Sequence, residues 1–175
     1  PAFLVLDRTP FYAEMGGQVG DRGRITAGDQ CLEVTDTTSD GSGHILHALE
    51  TAPPAGLAGK EVRLEVDLPF RKAVQRHHSA THILHWALRQ VLGTHVQQAG
   101  SYVGPDRLRF DFAHFEQIRP EQLQQIEHLC QERILDNDPV NWYEIPYSEK
   151  PEDVIAFFGE KYGDSVRVVD IGGWS

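Results

Sequence analysis

Over the first 68 positions the apolar residues come in short runs and often at every second place. Residues 2–7, AFLVLD, form one such run. Residues 22–49, RGRITAGDQCLEVTDTTSDGSGHILHAL, break into strand-length pieces separated by Gly, Asp and Ser. Val62, Leu64, Val66 and Leu68 alternate with charged residues, the period of a half-buried strand. Short strands between glycine-rich turns predict a small β-barrel-like or sandwich subdomain over residues 1–69. Residues 51–60, TAPPAGLAGK, read as a loop within it.

After Pro69 the period lengthens. Residues 70–92 read as one helix that Gly93 stops, with Val74, His78, Thr81, His85, Leu88 and Leu92 at spacings of three and four and His82 widening the same face. Residues 95–114 predict a hairpin turning at Gly104, Pro105 and Asp106. Residues 119–137 open with Pro120 in a first turn and repeat Leu123, Ile126, Leu129/Cys130 and Ile134, a second amphipathic helix. A strand at 140–147, a short helix at 150–159 and a last strand at 165–172 complete the pattern. The expected class is α+β: the β-rich part at 1–69, then an α+β core of antiparallel sheet and helices at 70–175.

Composition narrows the class without naming a task. With 175 residues, 40% hydrophobic and 24% charged, the chain is an ordinary globular protein large enough for a real core. No stretch approaches the roughly 18 apolar residues of a membrane span, so no membrane partner is expected. No secretory signal is visible and the chain begins at Pro1 without an initiator Met, so an excised fragment of a cytoplasmic protein is expected. Cys31 and Cys130 stand in unrelated segments, fit a reducing compartment, and are expected to be small buried residues.

The net charge of −10 argues against a generic nucleic-acid binder, but its distribution is uneven. Residues 71–110 carry Arg71, Lys72, Arg76, Arg89, Arg107 and Arg109 against Asp106 alone, a local +5 that leaves −15 for the remainder. Five of the nine histidines lie in the same stretch. Such a zone either steers a phosphate backbone or is a solvated helix face.

The histidines hold the chemistry. His78 and His82 are four apart, which on a helix stacks their side chains with Cβ atoms roughly 5–6 Å apart. Two imidazoles so placed can grip one metal ion, although a zinc site needs three or four protein ligands. The alternative is a pair of histidines satisfied by hydrogen bonds. Ser79 stands where an HExxH protease has its general base, so that chemistry is set aside. Thr81 between the histidines, and Gln98 and Ser101 on the next strand, add groups able to bind a small polar substrate.

Five stretches together carry a resemblance: FYAEMGGQVGDRG at 11–23, HSATHILH at 78–85, LGTHVQQAGSYV at 92–103, LRFDF at 108–112 and FFGEKYGDSVRVVDIG at 157–172. In this order they resemble the editing region of bacterial-type alanyl-tRNA synthetases, over essentially the whole chain. The resemblance implies hydrolysis of the ester of tRNA(Ala) mischarged with serine or glycine, within an enzyme that ligates alanine to tRNA(Ala). It implies Zn2+ bound by His78 and His82, and an editing site that includes Thr81, Gln98 and Ser101. Gly16, Gly17 and Gln18 match a glycine motif implicated in editing and in engaging the tRNA acceptor end; read alone, the glycines are a tight hairpin. The implied partners are tRNA(Ala) and the rest of a synthetase, with an aminoacylation domain upstream and a C-terminal domain downstream. In the family a Cys-x-x-x-His motif after the VRVV strand completes the metal site, and the chain is expected to stop before it. Met15 and His77 also depart from the family pattern; His77 is not counted as a third ligand, and His85 is read as a core histidine, with a role in the pocket as the alternative. The competing classes are a noncatalytic tRNA-positioning module and a structural zinc-binding domain.

Overall fold

The computed structural model describes residues 2–149 and 165–175. The chain divides into two compact units, residues 1–79 with 100–110, and residues 80–99 with 111–175.

In the first unit, β1 (Ala2–Val5), β2 (Gly23–Ala27), β3 (Gln30–Ser39), β4 (Ile45–Leu49) and β5 (Arg63–Val66) form one antiparallel sheet in the order β1-β4-β3-β2-β5. The sheet is open: β1 and β5 are its edges, where the sequence pattern predicts something barrel-like. Alternation along a strand reports which residues face a core, but closure depends on pairing between first and last strands, which no local pattern encodes. Phe11, Ile25, Leu32, Val34 and Leu49 make the buried core, flanked by Leu4, Leu6, Val62, Leu64 and Val66. The register slips between Val34 and Asp36, so β3 buries Leu32 and Val34 before the bulge and Thr37 after it.

Helix α1 (Leu68–Leu92) runs through both units. Asp67 caps it: its Oδ1 accepts the Phe70 N–H at 3.0 Å, while Pro69 falls in the first turn, where no N–H is missed. At the far end Gly93 takes φ +115°, open to glycine and closed to most residues. β6 (Gln98–Val103) pairs with β7 (Leu108–Phe112) across the expected turn, closed by the Gly104 N–H on the Arg107 carbonyl at 3.0 Å.

In the second unit, α2 (Pro120–Asp136) is opened by the Arg119 N–H on Gln122 Oε1 and ended by Asn137 in the left-handed region. β8 (Val140–Pro146) pairs antiparallel with β9 (Ser165–Ile171). The buried apolar residues of this unit include Ile83, Ala87, Leu88, Val96, Ile126, Val166, Val168 and Ile171. The amphipathic face read for α2 is only partly realised: Ile126 is buried, while Leu123 and Ile134 are 52% and 58% exposed. Periodicity marks a face that can be covered and does not supply its cover. The short helix expected at 150–159 lies outside the described residues. Neither cysteine behaves as expected: Cys31 is exposed on β3 and Cys130 half-buried on α2, its thiol pushed up by burial. Cys31 faces outward because the register of β3 turns Leu32 inward.

Candidate functional site

The glycine motif folds as its composition requires. Met15 and Gln18 exchange both backbone hydrogen bonds, Gln18 N–H to the Met15 carbonyl at 3.0 Å and Met15 N–H to the Gln18 carbonyl at 3.2 Å. Gly16 and Gly17 between them sit at φ +60° and +84°, as a two-residue type I′ hairpin demands. Gly17 has a second constraint: a Cβ there would lie 2.5 Å from the Ser101 carbonyl oxygen. The hairpin therefore rests directly on β6. Val103 donates its N–H to the Gly17 carbonyl at 2.8 Å, Val19 donates to the Val103 carbonyl at 3.1 Å, and Ser101 Oγ donates to the Gly16 carbonyl at 3.3 Å.

From this pinned turn the Gln18 side chain reaches α1. Its Oε1 lies 2.6 Å from His78 Nδ1. A carbonyl oxygen only accepts, so Nδ1 is the donor in this hydrogen bond. The preceding His77 is held in the same manner on another group, its Nδ1 donating to the Gly104 carbonyl at 2.7 Å. That contact takes His77 into the hairpin turn. Within the first unit the structure thus gathers Gly16, Gly17, Gln18, His78 and Ser101.

Thr81, His82 and Gln98 belong to the second unit. Thr81 is buried and His82 half-buried on α1, one turn beyond His78; Gln98 is half-buried at the start of β6. His85 is buried, its Nε2 donating to the Val96 carbonyl at 3.3 Å, and burial lowers its pKa. Its ring is thus enclosed on α1 beside the Val96 carbonyl.

Two imidazoles one turn apart on a continuous helix suit two positions of a zinc shell, and His78 Nδ1 donates to an acceptor as the second ring nitrogen of a ligating histidine does. Among the described residues no group of three or more His, Cys, Asp or Glu is placed to hold a metal ion.

The basic zone is partly consumed by the fold. Arg71 forks onto the buried Asp21 carboxylate, its Nε 3.2 Å from Oδ1 and 3.1 Å from Oδ2, and its Nη2 donates to the Pro10 carbonyl at 2.6 Å. Arg89 donates to the Thr94 and Val96 carbonyls, and the Arg107 guanidinium lies 5.6 Å from the Tyr102 ring centre. Lys72 and Arg76 remain exposed on α1. Charge counting cannot separate a cation that ties down a loop from one that meets solvent.

Known proteins resemble the chain at two scales. Residues 1–69 match the family described as class II tRNA synthetases (A). The alanine–tRNA ligase of Opitutus terrae is 52% identical over 178 aligned residues, 99% of this chain and 19% of that protein. That of Methylacidiphilum infernorum is 49% identical over 98% of the chain, and that of Pseudomonas fluorescens 51% over 97%. The chain spans about a fifth of the length of these relatives.

Proposed function

We propose that the chain, similar over nearly its whole length to alanine–tRNA ligases, is the segment of such a ligase that edits. The reaction is hydrolysis of the ester that joins serine or glycine to tRNA(Ala). The observation that carries this reading is α1 itself, a continuous helix that presents His78, Thr81 and His82 within one turn. A ligase for alanine has a physical need for such a step. A pocket that accepts a methyl side chain cannot strongly reject glycine or a side chain with one added hydroxyl, so a second site must remove the wrong product.

An aminoacyl ester is already activated, and no covalent nucleophile is required of the protein. Water oxygen bonds to the ester carbonyl carbon, the bond to the ribose oxygen breaks, and the ribose hydroxyl leaves with a proton. Zn2+ held by His78 and His82 would supply electrostatic stabilisation of the ester or its amino group, or a more acidic water. Thr81 limits the size and polarity of the amino acid admitted. Gln98 and Ser101 bind the amino acid or the terminal adenosine. Gly16 supplies the left-handed φ of the turn, Gly17 lets backbone approach where a side chain would not fit, and Lys72 and Arg76 offer exposed positive charge to the acceptor end of the tRNA. Partnership with the other domains of a synthetase, and a cytoplasmic location, belong to the same proposal.

The test is hydrolysis of seryl-tRNA(Ala) with added zinc by this chain, by its His78→Ala variant, and by a version extended past Ser175. Release of serine by this chain or the extended version, abolished by His78→Ala, supports editing. Binding of tRNA(Ala) without hydrolysis by either version overturns it in favour of a tRNA-positioning module.

A further inference from the structure

We propose that Gln18 is a positioning residue that acts through His78: it fixes the ring's orientation and selects the Nδ1–H tautomer of the neutral ring, which directs the Nε2 lone pair to a metal. The inference rests on the reading of His78 as a metal ligand and gives Gln18 a task other than contact with tRNA.

The argument starts from the backbone. Gln18 closes the two-glycine turn and is bridged on one side to Met15 and on the other, in parallel, to Val103. The hydrogen bonds that hold it come from both flanks: Met15 within the hairpin, and Val103 through Gly17 and Val19 on β6. Few residues in a loop between strands are fixed from two sides. The side chain that leaves this anchor ends 2.6 Å from His78 Nδ1. An amide is suited to the task. Its oxygen accepts an N–H bond and does not itself titrate, so what it selects is the Nδ1–H form of the neutral ring. A ligating histidine generally donates its other ring N–H to an acceptor that sets the ring's plane and raises its basicity, and loss of that acceptor costs about 10–100-fold in metal affinity. His77 shows the contrast, since its Nδ1 is spent on the Gly104 carbonyl and the turn of α1 carries its ring to another group.

This accounts for the motif as a unit. Gly17 brings the turn against Ser101 with no room for a Cβ, and the close seat of the turn places the next residue at α1. The GGQ stretch is then a mount for His78.

The test uses the wild-type chain, Gln18→Ala, Gln18→Glu and His78→Ala. The first readout is the 15N shifts of the His78 ring in metal-free protein. The second is zinc affinity by competition with a chelating dye. Expected are a pure Nδ1–H tautomer in wild type, a mixture in Gln18→Ala with zinc bound about 10–100-fold more weakly, and recovery of both properties in Gln18→Glu, whose carboxylate still accepts. An unchanged tautomer and affinity in Gln18→Ala overturns the proposal and leaves the ligand reading standing. Zinc affinity that is the same in wild type and His78→Ala overturns the ligand reading itself, and with it any action of Gln18 on a metal. Seryl-tRNA(Ala) hydrolysis by the same proteins reports on editing separately.

Discussion

His47 is fully buried (0% exposed) on β4. Its Nδ1–H donates to the Leu4 carbonyl at 3.1 Å, and its Nε2 accepts from Thr9 Oγ at 2.8 Å, which in turn accepts the Phe11 N–H at 3.1 Å. The Phe11 ring meets it edge-on at 5.2 Å. Burial pushes its pKa down, and the Leu4 carbonyl opposes this only in part. The unfolded chain protonates this histidine near pH ~6.5 and the folded chain only at lower pH. Stability from the neutral ring is therefore fully present above pH ~6.5 and lost as the pH falls through the folded value. His85, with its pKa lowered by burial, acts in the same direction. The urea midpoint of the wild-type chain should fall between pH 7.5 and 5.5, and His47→Gln should flatten that dependence; an equally steep loss in the variant would rule His47 out as its source.

At the scale of elements, the loop between β1 and β2 is tied to the first turns of α1 by one buried ion pair. Asp21 also accepts the Tyr12 N–H at 2.6 Å, and its backbone carbonyl accepts from Thr37 Oγ at 2.8 Å, so its carboxylate and backbone hold three segments. Removing Arg71 leaves that carboxylate buried without its cation. Arg71→Met should cost about 2–4 kcal/mol by urea denaturation, less than a fully buried pair because the guanidinium is 26% exposed. A change below about 0.5 kcal/mol would mean the carboxylate finds water instead. In the second unit the comparable tie is aromatic. The Arg133 guanidinium lies 4.6 Å from the Trp86 ring centre and 5.1 Å from that of Trp174, and Trp174 Nε1–H donates to Asp138 at 2.7 Å. Neither tie is visible in a periodicity, because each joins residues far apart in sequence whose types are common on surfaces.

At the scale of the whole molecule, each unit has its own buried apolar set, and neither set depends on the histidines read as ligands. Chelation of metal should therefore leave far-ultraviolet circular dichroism and the thermal midpoint within about 2 °C of the untreated chain, whereas a small zinc-folded domain unfolds without its ion. Unfolding on addition of chelator would return the chain to the structural-zinc class. The charge contrast also belongs to this scale. A chain with net charge −10 carries a locally positive stretch, and once Arg71 and Arg89 are spent on internal contacts, the exposed remainder on α1 is Lys72 and Arg76. No helix among the described residues is long and apolar enough to cross a membrane.

What could be read from the sequence alone is local. The alternation of Val62, Leu64 and Val66 marked β5, the three-and-four spacing from Val74 to Leu92 marked α1, and paired glycines marked a tight turn, because strand, helix and turn each impose their period or φ within a few residues. The placement of His78 and His82 one turn apart followed from the helix. Pairing was left to the tertiary structure: the open order of the sheet, the bulge that turns Thr37 inward, the outward face of Cys31, the neutralisation of Arg71 by Asp21. So was the union of Gln18 with His78, across 60 residues of chain. Those facts depend on which distant segments share a core or a hydrogen bond, and a distance along the chain says nothing of a distance through space.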